Sequence, residues 1–211
     1  MNTLAIFGGT FDPVHNGHIE ASKAVQTHFH FDAYNFLPCN IPSIKPPTIA
    51  NAQQRIDMLR LALKNFKQFN IDLREIKHDT PSYMIDTLYS FREEYKDTSI
   101  TLIIGYDAFL SLPKWHKWQE IITLANLLVI NRQLFSDSLI PKEIQELIKQ
   151  HKSTNKLALL SNKFGVIYEF DAGNYPISST LIKKQLKQNN NVEALLPKEI
   201  SDYIKQWGLY Q

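Results

Sequence analysis

The chain has 211 residues, with 23 Lys and Arg against 21 Asp and Glu, a net charge of +2 that is too mild for a nucleic-acid scaffold and leaves small anionic ligands as candidates. Hydrophobic residues at 44% and charged residues at 21% argue against disorder and collagen-like repeats and allow a substantial core. A single cysteine, Cys39, excludes an internal disulfide and any Cys-x-x-Cys metal or redox pair, and fits a reducing compartment.

Thr3 to Phe7 is a short apolar run ending at Gly8-Gly9, which predicts a first strand buried on both faces. Ala21, Val25 and Phe29 then recur every four residues, so one face of a helix starting near Gly17 is apolar. Ala33 to Leu37 reads as a second strand, followed by a loop punctuated by Pro42, Pro46 and Pro47. Asn51 with Gln54 resembles a capping box, and the stripe Ile56, Leu59, Leu63, Phe66 carries a helix to about Lys67.

Strands are then expected at Phe69 to Leu73, Ile100 to Ile104, Leu127 to Ile130 and Val166 to Phe170. Helices are expected at Ile85 to Tyr95, Trp115 to Leu124, Pro141 to His151, Ser179 to Lys187 and Pro197 to Trp207. Strands alternating with helices predict an α/β fold, a Rossmann-like open parallel sheet with helices on both faces. Residues 1–211 are expected to form one domain, with 178–211 as a C-terminal helical part.

Ligands of such sheets bind at the carboxyl ends of the strands. The loop after the first strand reads Gly8-Gly9-Thr10-Phe11-Asp12-Pro13-Val14-His15-Asn16-Gly17-His18. It has neither the Gly-x-Gly-x-x-Gly spacing of dinucleotide folds nor the Lys-Ser/Thr of a P-loop. Paired glycines permit close backbone approach, and two histidines bracket a helix start whose N–H groups favour an anion, a combination suited to phosphate. The plain alternative is a pair of capping or packing histidines. Protein-bound zinc is not expected, because His28, His30, Asp12 and Cys39 show no recognised ligand spacing with this pair.

This run resembles the His-x-Gly-His motif of the nucleotidyltransferase superfamily, and further motifs resemble its nicotinate-nucleotide adenylyltransferase family along nearly the whole chain. They are Gln54-Arg55, Pro81-Ser82-Tyr83 with Asp86-Thr87-Leu88, Gly105-Tyr106-Asp107, Leu112 to Trp118, Ile177 to Lys183 with its two serines and Thr180, and Leu209-Tyr210. The resemblance implies that Gly8, Gly9, Thr10, Phe11, His15, Gly17 and His18 cradle ATP. It also implies that Gly105 and Asp107 help place the nucleotide and that Ile177, Ser178, Ser179 and Thr180 hold its triphosphate at a helix start. The family usually has Arg where Lys183 stands, which trades a bidentate fork for a point charge.

For the acceptor, the resemblance implies Lys45, Ser82, Tyr83, Met84, Trp115, His116 and Arg132, with the Trp115 indole stacked on a pyridine ring and Trp118 left to packing. The family often has Asn at Cys39 and Thr at Met84, so backbone N–H groups around Tyr83 to Ile85 and His116 are expected to hold the nicotinate carboxylate instead.

The implied reaction joins ATP and nicotinate mononucleotide, with catalytic roles for His15, His18 and Lys183 in alignment and charge stabilisation. Mg²⁺ is expected to arrive on the ATP. Rivals are nicotinamide-mononucleotide or phosphopantetheine adenylyl transfer, and a non-catalytic nucleotide-binding regulator. With no basic n-region and no long apolar run, the expectation is a cytoplasmic protein with neither nucleic-acid nor membrane partners. The pattern leaves the oligomeric state open.

Overall fold

Alternation along the first strand divides the interior into two layers. Ala5 and Phe7 enter one core while Leu4 and Ile6 enter the other, the period-2 geometry of a strand buried on both faces. The computed structural model describes residues 1–44, 46–78, 80–130 and 140–211. Lys45 and Arg132, two of the expected acceptor-binding residues, lie outside the described residues.

Along the chain the strands are β1 (Thr3–Gly9), β2 (Ala33–Pro38), β3 (Ile41–Pro42), β4 (Asn70–Ile71), β5 (Pro81–Ser82), β6 (Ser99–Gly105), β7 (Asn126–Ile130) and β8 (Ile167–Phe170). The main sheet has the order β4-β2-β1-β6-β7-β8, and every pairing in it is parallel. It therefore grows outward from β1 in both directions, as a Rossmann-like sheet does, and the expected fold class holds. β3 and β5 pair in a separate parallel ribbon at one end.

The helices are α1 (Asn16–Phe29), α2 (Ala52–Leu63), α3 (Met84–Glu94), α4 (Tyr106–Leu110), α5 (Trp118–Ile121), α6 (Lys142–His151), α7 (Lys156–Ser161), α8 (Ser179–Lys187) and α9 (Lys198–Trp207). One core gathers Val25 and Phe29 of α1, Met58 and Leu59 of α2, Leu159 of α7, Ile182 of α8, and Ile200 and Ile204 of α9. The other gathers Leu88 and Phe91 of α3, Phe109 of α4, Ile121 of α5, and Ile144 and Leu147 of α6. Helices thus cover both faces. Among the described residues, no helix is long and apolar enough to cross a membrane.

Three elements differ in extent from the sequence reading, and two short helices are additional. α2 stops at Leu63, where tight turns from Phe66 to Leu63 and from Phe69 to Phe66 replace helical bonding. β4 is an edge strand of two residues, extended only by Asp72 donating to the Phe36 carbonyl. The helix expected from Trp115 to Leu124 is broken: a 3₁₀ turn at Leu112–Lys114 and a left-handed Lys117 (φ 48°) precede the short α5. α4 and α7 are absent from the sequence reading; each is too short to show a periodic stripe.

Candidate active site

The order of the sheet reverses between β1 and β6, where the strand crevice is open to a ligand. A cleft of about 680 Å³ lies there. All residues that the sequence reading gave to ATP line it: Gly8, Gly9, Thr10, Phe11, His15, Gly17, His18, Gly105, Asp107, Ile177, Ser178, Ser179 and Thr180, with Lys183 beside them. Two helix N-termini, those of α1 and α8, face this one space, and both favour negative charge there.

His15 occupies the cap position of α1 with extended backbone. Its ring stacks on His18 with centroids 3.6 Å apart. The His18 ring is also held edge-on by Phe11 at 5.1 Å and Phe7 at 5.9 Å. The His15 amide donates to His18 Nδ1 at 3.3 Å; an amide can only donate, so the proton of a neutral His18 ring sits on Nε2. His15 is 5% exposed, and burial pushes its pKa down to about 4. Its Nδ1 is buried without a hydrogen-bond partner. His15 therefore offers a polar nitrogen rather than a positive charge. A Cβ at Gly17 would stand 3.1 Å from His15 Nδ1 and 3.4 Å from Tyr175 Cβ, so a side chain there crowds the stack.

At the second helix start, Ser178 Oγ accepts from the Leu181 amide at 3.1 Å and caps α8. Ser179 Oγ donates to the Pro13 carbonyl at 2.9 Å and ties α8 to the glycine loop. The capping alternative is thus real for Ser178, and the amides of Ser179 and Thr180 are the donors that this helix start presents. Asp107 lies in the first turn of α4, whose cap position is Gly105. Its Oδ1 would be 2.7 Å from a Cβ at Gly105, so the carboxylate folds back over that glycine.

The Lys183 ammonium pairs with Asp12 at 3.1 Å. Asp12 also accepts from Tyr210 Oη at 2.7 Å and from the amides of Ile49 and Ala50 at 3.1 Å each. Burial alone would raise the Asp12 pKa, but these donors, Tyr210 first, hold it below the usual carboxylate value. Arg55, fully buried in α2, donates to the carbonyls of Thr10 at 2.8 Å, Cys39 at 2.7 Å and Asn40 at 2.9 Å. It clamps the glycine loop to the end of β2, where the Cys39 amide donates to the Gly9 carbonyl at 3.1 Å.

The sequence reading gave Asp12, Arg55 and Tyr210 no role. For Arg55 a signal existed: it sits four residues before Leu59 on the face of α2 that is otherwise apolar.

The residues expected to bind the acceptor are less tightly gathered. Ser82 and Tyr83 line a separate, smaller cavity with Glu75 and Thr87. The Met84 methyl would lie 2.9 Å from a Cβ at Gly8, so Met84 covers the end of β1 at the cleft's edge. His116 approaches Tyr83, with ring centroids 4.8 Å apart. Trp115 and Trp118 both lean on the core of the α3–α6 face. Neither Trp115 nor His116 lines either cavity. The Cys39 thiol points to Thr10 Oγ1 at 3.8 Å.

A family model described as cytidylyltransferase-like matches residues 6–185. The probable nicotinate-nucleotide adenylyltransferase of Legionella pneumophila (strain Corby) is 56% identical over 211 residues, covering all of both chains. The protein of the same name from Methylococcus capsulatus is 36% identical over 208 residues, 98% of this chain and 99% of that one. The chain belongs to the nicotinate-nucleotide adenylyltransferase family. Its fold is shared with the Plasmodium falciparum nicotinic acid mononucleotide adenylyltransferase complexed with NaAD, at a TM-score of 0.77 and 18% identity over 100% of this chain and 98% of that one. Membership in the adenylyltransferase family accounts for the motifs that recur along the chain in order.

Proposed function

We propose that the protein transfers the adenylyl group of MgATP to nicotinate mononucleotide, giving nicotinate adenine dinucleotide and pyrophosphate, a step of NAD biosynthesis. The observation that carries this reading is the convergence of the two histidines, two helix N-termini and Lys183 on one cleft at the sheet's switch point. The relatives' name supplies the acceptor.

In the proposed step a 5′-phosphate oxygen of nicotinate mononucleotide attacks the α-phosphorus of ATP, and the bond from that phosphorus to the β-phosphate bridging oxygen breaks. Pyrophosphate leaves with the electron pair. An ionised phosphate is already a nucleophile near neutral pH, so alignment and charge stabilisation suffice. His18 Nε2–H, the amides of Ser179 and Thr180, and Lys183 are the donors assigned to the phosphates. His15 is assigned to the same group.

Mg²⁺ belongs to the substrate in this reading. Of the described carboxylates in the cleft, Asp12 is already engaged by four donors. When bound, the ion neutralises charge on the departing pyrophosphate.

Ser82, Tyr83, Met84, Trp115, His116, Lys45 and Arg132 are assigned to the acceptor. Cys39 and Met84 leave its carboxylate to backbone N–H groups. Residues 1–211 act as one catalytic domain in this reading, since the 178–211 part supplies both Lys183 and Tyr210 to Asp12. A cytoplasmic location suits the nucleotide substrates.

The test is His18→Ala, assayed by pyrophosphate release from MgATP and nicotinate mononucleotide. Turnover is expected to fall by about 10³-fold with the fold intact; near-normal turnover contradicts the assignment.

A further inference from the structure

Asp12 joins three segments far apart in the chain: the end of the proline-rich loop through the amides of Ile49 and Ala50, helix α8 through Lys183, and the C-terminal tail through Tyr210. Its side chain is 3% exposed, whereas that of Lys183 is 26% exposed. The buried carboxylate therefore holds the inner side of an ammonium whose outer side reaches the cleft. Each Asp12 oxygen accepts two donors, Oδ1 from Tyr210 and Ala50, Oδ2 from Lys183 and Ile49. That exhausts what a carboxylate can accept.

Tyr210 is itself fixed. It is 2% exposed, and the tail before it is held by the Leu209 amide on the Ile204 carbonyl at 3.1 Å. Its 2.7 Å bond is the shortest that Asp12 makes.

A lysine on a four-carbon stem has no intrinsic direction, and its direction here comes from Asp12. Without the phenol, Oδ1 keeps only the Ala50 amide, and the less-shared negative charge draws the ammonium inward, away from the cleft. Resting on the reading of this cleft as the ATP site, we propose that Tyr210 is a positioning residue for the nucleotide: by donating to Asp12 it keeps Lys183 directed at the triphosphate. It touches no substrate and acts through two other side chains.

The experiment is a double-mutant cycle read by calorimetric ATP binding and by pyrophosphate release, on wild type, Tyr210→Phe, Lys183→Met and the double variant, with thermal melts of each. Tyr210→Phe is expected to weaken ATP binding about tenfold, the scale of one charge-assisted hydrogen bond. In the Lys183→Met background the same change is expected to cost less than about twofold, because its target is gone. The KM for nicotinate mononucleotide should not move.

Lys183→Arg provides a second route. A guanidinium directs itself on a carboxylate through two parallel donors, so Tyr210→Phe should cost less than about threefold there. Equal losses in all backgrounds, or no loss in the wild-type background, overturn the proposal. If wild type binds ATP but releases no pyrophosphate, the transfer reading fails while the binding cycle still decides the role of Tyr210. If wild type does not bind ATP, both fail.

Discussion

The imidazoles of His15 and His18 lie face to face, with centroids 3.6 Å and planes 24° apart, at the first turn of α1. Two positive rings at that distance repel strongly, and the buried member, His15, is the one held neutral. Held neutral, His15 spares the stack the repulsion that a doubly protonated pair would carry.

His15 makes native stability depend on pH. Its folded pKa of about 4 lies below the ordinary value of 6.5, so the unfolded chain binds the proton first as pH falls. The His15 contribution is complete above about pH 6.5 and is lost as pH falls toward about 4. From about pH 7.5 to about pH 5 the loss should be about 2 kcal/mol. Denaturant titrations of wild type and His15→Asn across that range check it: the variant should have the flatter profile, and parallel profiles would contradict the neutral buried ring.

Gly17→Ala separates site geometry from fold stability. The added methyl would meet His15 Nδ1 at 3.1 Å and Cε1 at 3.3 Å, so the stack must shift by a few tenths of an ångström. Alanine in a helix is favoured over glycine by about 1 kcal/mol. Melting temperature should therefore hold, while turnover falls at least about tenfold through the displaced histidines. Unchanged turnover would mean that the stack tolerates displacement.

Arg55→Lys tests the clamp beneath the glycine loop. One ammonium cannot replace a fork that reaches the carbonyls of Thr10, Cys39 and Asn40. At a fully buried position the unsatisfied acceptors should cost about 2 to 4 kcal/mol in denaturant unfolding. A cost under about 0.5 kcal/mol would show that the loop holds itself.

The α/β architecture and the gathering of the glycine loop, His15 and His18 in one cleft were legible because both are local in sequence. β1, its glycine loop and the start of α1 form one continuous run, and the apolar stripes of α1 and α2 repeat with helical period. The Asn51–Gln54 capping box formed as read, with two bonds of 2.9 Å. What was not legible depends on distant partners. Tyr210 meets Asp12 across 198 residues, and no period or spacing reports such a contact. The break between Trp115 and Trp118 arises from a left-handed Lys117, a conformation that lysine does not advertise. The sequence offers Lys183 as a cation facing phosphate, and the structure adds that its inner side is already bound by Asp12.

The most direct measurement is pyrophosphate release from MgATP with nicotinate mononucleotide and with nicotinamide mononucleotide, side by side. A strong preference for the nicotinate form is expected, with backbone N–H groups selecting the carboxylate that Cys39 and Met84 do not. Equal or reversed preference would keep adenylyl transfer and contradict the acceptor, and no release with either would contradict the proposed reaction itself.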